Sequence, residues 1–314
     1  MTSTRVSHRI DVAAPADAVY RIVGDVRLWP LYFPPTVHAE RTGGDDRAED
    51  VRIWAMANGA LRTWASRREL DPRRRTVAFA QTEPAAPVAE MSGEWRIEER
   101  GPAACRVVLD HRYRAAGDDP AALDLIAAAV DRNSGTELAH LRHAAEHAGT
   151  EADVLLDFAD SERIAGPAGA VYEFINDAAR WPERLPHVVG VDVREDQPGL
   201  QYLRMDTRSP DGSVHTTVSG RVCTRPDRIV FKQVELPTGL RAHHGDWTLS
   251  PAADGTVTAT ARHRVILDPA GLAALPRPPA DAAAARAAVR RALGANSRAT
   301  LARARAFAER YRTP

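Results

Sequence analysis

A constant offset of 152 residues ties the two halves of this chain together, and no other feature restricts its fold as strongly. Pro15-Ala16, Ala18-Val19-Tyr20, Asp25, Trp29-Pro30, Pro34 and Val37 recur as Pro167-Ala168, Ala170-Val171-Tyr172, Asp177, Trp181-Pro182, Pro186 and Val189, ten identities in 23 aligned positions. The same offset carries Phe79 to Phe231, Gln81 to Gln233, Gly93-x-Trp95 to Gly245-x-Trp247 and His111-Arg112 to His263-Arg264. Near the end of each half, Asn133-Ser134, Leu138 and Glu146 answer Asn296-Ser297, Leu301 and Glu309 at an offset of 163, so about eleven residues are inserted around the stiff Pro276-Arg277-Pro278-Pro279 segment. Two copies of one domain, residues 1–149 and 150–314, are expected, joined near Gly149 to Asp153.

Within a copy the pattern reads strand, helix, many strands, long helix. Residues 5–13 alternate as a strand, and Pro15 precedes a helix over 16–24. Alternating segments follow at 37–41, 49–57, 60–70, 76–81, 89–99 and 106–115, with Asn58-Gly59 as a hairpin turn, and a helix over 120–148 closes the copy. A curved antiparallel sheet wrapped around that helix is the economical packing, an α+β fold.

Composition removes several classes of function. Forty-two basic residues balance 42 acidic ones, which argues against a nucleic-acid footprint. No apolar run is long enough to cross a bilayer, and Arg5, His8, Arg9 and Asp11 interrupt the start of the chain where a signal peptide needs apolar residues, so a cytoplasmic protein without membrane contact is expected. Cys105 and Cys223 have neither zinc nor disulfide-framework spacing and are expected to be reduced.

Period-two alternation turns Met91, Gly93, Trp95 and Ile97 inward, together with Val107, Leu109, His111 and Tyr113. Across the hairpin the row Val51, Ile53, Ala55, Trp64, Ser66, Arg68, Leu70 shares the apolar face, which makes Arg68 an inward-pointing arginine. On the closing helix Leu123, Ile126, Val130, Asn133, Leu141 and Ala145 form one stripe, with the Asn133 amide facing the sheet. An interior this polar implies a ligand cavity, because an unpaired interior guanidinium is costly. The plain alternatives are an Arg68–Glu49 ion pair, hydrogen-bonded core histidines and ordinary core tryptophans. His140, His143 and His147 share a helical face but fall on its wet side, so no metal site is expected.

Ala14-Pro15, Val19-Tyr20, Trp29-Pro30, Thr63-Trp64-Ala65-Ser66-Arg67-Arg68, Met91-Ser92-Gly93-Glu94-Trp95, His111 and Asn133-Ser134, in that order and twice over, resemble bacterial type II polyketide aromatase/cyclases of the two-domain kind. The resemblance implies two tandem helix-grip domains of the START and Bet v 1-like superfamily. It also implies a poly-β-ketone substrate carried by an acyl carrier protein, with other components of a type II polyketide synthase as partners. The implied reaction is an aldol closure of the first ring between the seventh and twelfth carbons, and dehydration to the aromatic ring, without a cofactor. In the reducing subclass a ring already closed and reduced is dehydrated.

For that chemistry Arg68, Ser66, His111 and His263 are the expected catalytic residues, the guanidinium stabilising enolate charge and the imidazoles moving protons. Trp29, Phe33, Trp64, Phe79, Gln81, Met91, Trp95 and Asn133 are expected to shape the first cavity, and Trp181, Phe231, His243, Trp247 and Asn296 the second. At offset 152 Trp64, Ser66, Arg68 and Met91 become Thr216, Val218, Gly220 and His243, so the second cavity is expected to lack an arginine and to hold two histidines. A non-catalytic carrier of hydrophobic small molecules is the alternative, and the fold alone does not choose.

Overall fold

The computed structural model of the protein describes residues 3–57, 59–147, 154–209 and 212–311. The chain divides into two compact units, one built on each of two seven-stranded antiparallel sheets. The expected junction at 149–153 and the Asn58 turn residue lie outside the described residues.

The first unit runs β1 (Thr4–Val12), α1 (Ala16–Gly24), α2 (Trp29–Tyr32), β2 (Thr36–Gly44), β3 (Ala48–Ala57), β4 (Ala60–Asp71), β5 (Thr76–Gln81), β6 (Val88–Gly101), β7 (Ala104–Ala115) and α3 (Pro120–His147). Its strand order is β1-β7-β6-β5-β4-β3-β2, a meander whose last strand returns to the first. The burial of Ala122, Ile126, Val130, Ser134, Leu138, Leu141 and Ala145 gives α3 one face every three or four residues, and that face packs on the sheet. This is the helix-grip arrangement that the resemblance implies.

The second unit repeats it with β8 (Leu155–Ile164), α4 (Ala168–Asn176), α5 (Trp181–Arg184), β9 (Val188–Gln197), β10 (Leu200–Arg208), β11 (Val214–Thr224), β12 (Arg228–Glu235), β13 (Leu240–Pro251), β14 (Val257–Leu267), α6 (Pro269–Ala273) and α7 (Ala282–Ala308). The eleven extra residues form α6 and the proline-rich lead into α7.

Two repeated motifs have clear physical causes. Gly93 faces Phe79 on one neighbouring strand and His111 on the other, and Gly245 sits likewise between Phe231 and His263. A Cβ at either glycine would overlap the aromatic ring and a carbonyl oxygen of the adjoining strand, so glycine is what lets the ring lie across the sheet. In the Trp-Pro pair, proline starts a short helix, and the indole N–H of Trp29 reaches the Ile22 and Val23 carbonyls at 3.2 and 3.3 Å. Trp181 donates to the Phe174 carbonyl at 3.3 Å. Cys105 and Cys223 are free thiols, both held above the ordinary thiol range by burial.

Candidate active site

The inward row of β4 reaches a cavity of about 200 Å³ in the first unit. Ten of the expected residues line it: Trp29, Trp64, Ser66, Arg68, Phe79, Gln81, Met91, Trp95, His111 and Asn133. Phe33 does not. It is core, set edge-on behind Trp29 with ring centroids 5.6 Å apart, because α2 ends there and turns its side chain inward beneath the indole.

Arg68 is 2% exposed and fully held. It donates to Glu49 at 2.8 Å and to the carbonyls of Val23 and Gly24 at 2.7 and 3.2 Å, and it lies 5.2 Å from the Trp29 ring centre. The two carbonyls are the last of α1, whose free acceptors and negative dipole end suit a cation. Burial weakens the proton affinity of Arg68, and Glu49 restores part of it. The alternative ion pair with Glu49 and the cavity-lining position are thus both present in one guanidinium.

The second cavity, of about 130 Å³, corrects the expectation that its arginine is lost. Arg221, 2% exposed, donates to Gln201 at 2.5 Å and to the Ile175 and Asn176 carbonyls at 2.7 and 3.4 Å, and stands 5.0 Å from the Trp181 ring centre. Every partner is the repeat counterpart of an Arg68 partner. Strand pairing gives the reason. Ser66 faces Gln81 and Arg68 faces Phe79, whereas Ser219 faces Gln233 and Arg221 faces Phe231, beside a register shift between Val218 and Ser219. One residue gained before β11 and one lost in the turn after it move the counterparts of Trp64, Ser66 and Arg68 to Thr217, Ser219 and Arg221, and Thr216, Val218 and Gly220 are not the equivalents.

A second correction concerns α3. Ser134, not Asn133, is the buried residue facing the sheet, and its hydroxyl lies 3.5 Å from Nδ1 of His111, while Asn133 sits exposed at the cavity rim. One residue is 100° of helix, enough to move a side chain from the wall to the mouth. Burial, with a contribution from His8, holds His111 down to about 4, so its imidazole is neutral at neutral pH.

Sequence reasoning missed Glu137. One turn beyond Asn133 on α3, it lines the first cavity, and among the described residues no hydrogen bond or ion pair engages it. Burial pushes its carboxyl up to about 7. The spacing from Asn133 and Ser134 was the available signal. Its counterpart in the second unit is Thr300, which donates to the Asn296 carbonyl at 2.9 Å.

All expected second-cavity residues line that cavity: Trp181, Phe231, His243, Trp247, His263 and Asn296. Its two inward histidines are hydrogen-bonded to each other, His243 Nε2 to His263 Nδ1 at 2.9 Å. Burial holds His243 well below the ordinary histidine range and His263 at about 4. The two sites therefore share a held arginine, a serine, a Gly-x-Trp strand and a histidine, and differ in their titratable groups: a carboxyl and one imidazole line the first, two linked imidazoles the second.

Known proteins resemble this chain along nearly its whole length. The sequence profile of the family described as polyketide cyclase/dehydrase and lipid transport matches residues 3–146, and a second profile with that description matches residues 164–292. The granaticin polyketide synthase bifunctional cyclase/dehydratase of Streptomyces violaceoruber is 42% identical over 310 residues, which cover 98% of this chain and 95% of that one. The chain belongs to the polyketide cyclase/dehydrase family. Within this family, the actinorhodin polyketide synthase bifunctional cyclase/dehydratase of Streptomyces coelicolor is 40% identical over 315 residues, covering 97% of this chain and 96% of its own. The crystal structure of BexL, the di-domain aromatase/cyclase of the BE-7585A biosynthetic pathway, superposes with a TM-score of 0.89 at 48% identity, over 98% of this chain and 99% of that one. The two-domain aromatase/cyclase resemblance drawn from the repeated motifs is borne out.

Proposed function

We propose that this polyketide cyclase/dehydratase closes the first ring of a carrier-bound poly-β-ketone between its seventh and twelfth carbons inside the first of two domains, residues 1–149 and 150–314. The carrier is an acyl carrier protein of a type II polyketide synthase, and the setting is the cytoplasm; among the described residues no helix is long and apolar enough to cross a membrane. The observation that carries the reading is the lining of the first cavity, where the Glu137 carboxyl, which burial pushes up to about 7, shares aromatic walls with the buried guanidinium of Arg68.

An aldol closure needs a proton taken from a methylene between two ketones and a proton returned to the alkoxide that forms. Glu137, present in both protonation states near pH 7, is suited to both transfers. Ser66 takes a ketone oxygen on which charge develops, and the fixed positive charge of Arg68 in the same cavity wall opposes that charge. Neutral His111, backed by Ser134, offers a second proton-transfer group. Trp29, Trp64, Trp95, Phe79 and Met91 bend the chain so that the reacting carbons meet. A cavity of about 200 Å³ holds one forming ring with its substituents, since a dry space of about 150 Å³ accommodates benzene, and leaves the rest of the chain at the mouth.

Glu137→Gln keeps the shape and removes the titration. Ring closure by this variant in a reconstituted synthase is expected to fall about 100-fold or more, and the rise of the wild-type rate with pH through about 7 is expected to vanish. An unaltered rate and pH profile in the folded variant would remove Glu137 from the chemistry.

A further inference from the structure

The second cavity contains a continuous chain of hydrogen bonds that, among the described residues, has no equivalent in the first. Gln233 Oε1 lies 2.9 Å from Nδ1 of His243, His243 Nε2 lies 2.9 Å from Nδ1 of His263, and His263 Nε2 lies 3.0 Å from Oγ of Ser297, which in turn reaches the Leu293 carbonyl at 2.8 Å. In the first cavity Met91 stands where His243 does, and among the described residues Ser134 is the hydrogen-bond partner of the His111 ring.

Two neutral imidazoles satisfy this chain in either of two directions. In one, His243 Nδ1–H donates to the Gln233 oxygen, His263 Nδ1–H donates to His243 Nε2, and the Ser297 hydroxyl donates to His263 Nε2. In the other, the Gln233 amide is turned over and donates to His243, His243 donates to His263, His263 donates to Ser297, and Ser297 donates to the Leu293 carbonyl. The two arrangements differ in where the protons sit and in the orientation of the Gln233 amide. A proton accepted at one point of the chain is therefore shared along it, which is the property of a relay.

A second feature of the same cavity points to a ligand. Thr217, 2% exposed, lines the cavity with its hydroxyl buried and without a hydrogen-bond partner. A buried hydroxyl left unsatisfied is costly, so its position fits a group that arrives with an acceptor oxygen. It lies on the inward face of β11, two residues from Ser219 and four from Arg221, where the first unit has the bulky Trp64.

We propose that the second cavity is the dehydration site for a cyclic β-hydroxy ketone, with Thr217 holding the ketone oxygen and the linked imidazoles of His263 and His243 moving the proton. The proposal rests on the cyclase/dehydratase reading above and assigns the loss of water to the second unit. Ser297 turns its hydroxyl to the Leu293 carbonyl, which frees Nε2 of His263. That nitrogen takes the proton from the carbon between the ketone and the carbinol. The C–H electron pair becomes the new C=C bond, and the C–O bond breaks with its pair on oxygen. The departing oxygen takes the proton back from the imidazolium and leaves as water. No oxidant or reductant is needed. His243, a positioning residue, shares the transient positive charge through its Nε2, while Thr217 and Arg221 oppose the negative charge that gathers on the ketone oxygen.

The test uses the full-length protein with a reconstituted synthase and reads, by mass spectrometry, the ratio of ring-closed product that retains water to product that has lost it. Thr217→Val is nearly isosteric, and His263→Asn keeps a polar side chain. Each is expected to raise that ratio about 100-fold, the lower range both for a lost oxyanion donor and for a lost proton-transfer group, while the ring pattern stays that of the wild type. Glu137→Gln is expected to lower ring closure without raising the ratio. A wild-type ratio in folded Thr217→Val and His263→Asn overturns the proposal, as does loss of the ring pattern in either one. Thr217→Val alone decides the matter if His263→Asn does not fold. A wild-type protein that leaves the product mixture unaltered overturns the cyclase reading beneath it, an outcome distinct from the failure of the variants alone.

Discussion

Arg68→Ala is expected to destabilise the first unit by about 3–5 kcal/mol, the range for removing one partner of a buried ion pair. Glu49 would be left nearly buried and uncompensated, the Val23 and Gly24 carbonyls would lose their donor, and Trp29 would lose the cation against its ring. With a domain's whole stability at about 5–15 kcal/mol, such a loss can empty the folded state, so a missing activity in Arg68→Ala reports on the fold before it reports on catalysis. Glu49→Gln is the informative companion. It recreates the arginine–glutamine pairing that Arg221 and Gln201 already use in the second unit, and it is expected to cost only about 1 kcal/mol. Urea unfolding followed by tryptophan fluorescence measures both. An Arg68→Ala protein within about 1 kcal/mol of the wild type would show that this guanidinium does not hold α1 to the sheet.

The second large effect is a difference in acid sensitivity between the two units. His243 and His263 titrate lower in the folded protein than in the unfolded chain, so below about 6.5 the unfolded state binds protons first and stability falls as pH falls. For His263, carried from 6.5 down to about 4, the loss across that window is on the order of 3 kcal/mol, and His243 adds to it. The first unit behaves differently. His111 also loses stability between about 6.5 and 4, but Glu137, raised to about 7, is relieved of its buried charge as pH drops from 7 towards the ordinary carboxylate range. The two act in opposite directions over one interval, and the first unit is expected to be nearly flat. Hydrogen exchange resolved by segment between pH 7 and 4 separates the units. Equal acid sensitivity in both units, or a slope in β13 and β14 that survives replacement of both His243 and His263, contradicts this assignment.

Most of the architecture was legible in the sequence because repetition supplied what a single copy lacks. Trp-Pro, Gly-x-Trp and the paired His-Arg recur in register because each satisfies a geometric demand: an anchor on the end of α1, a ring lying across a strand, an imidazole at the cavity wall. The errors came from places where a constant offset or a helical stripe is too coarse. An insertion and a deletion of one residue each cancel between Gln201 and Phe231, so the ends of the segment align while Arg221 is passed over. Ser134 and Asn133 differ by one helical step, and only packing tells which of them is buried. Glu137 was invisible because a glutamate on a long helix is ordinarily solvated, and the cavity that raises its proton affinity is made by strands far away in sequence. The His243–His263 contact joins adjacent strands, and reading each strand's inward face found both residues without revealing that they touch.

The most direct test of the account is the product profile of a reconstituted type II polyketide synthase with and without this protein, on unreduced and on reduced chains. The mixture of spontaneous ring patterns is expected to collapse to one, closed between the seventh and twelfth carbons and dehydrated. A mixture identical with and without the folded protein on both kinds of chain, accompanied by tight binding of the cyclised product, would contradict it and make the two cavities those of a carrier.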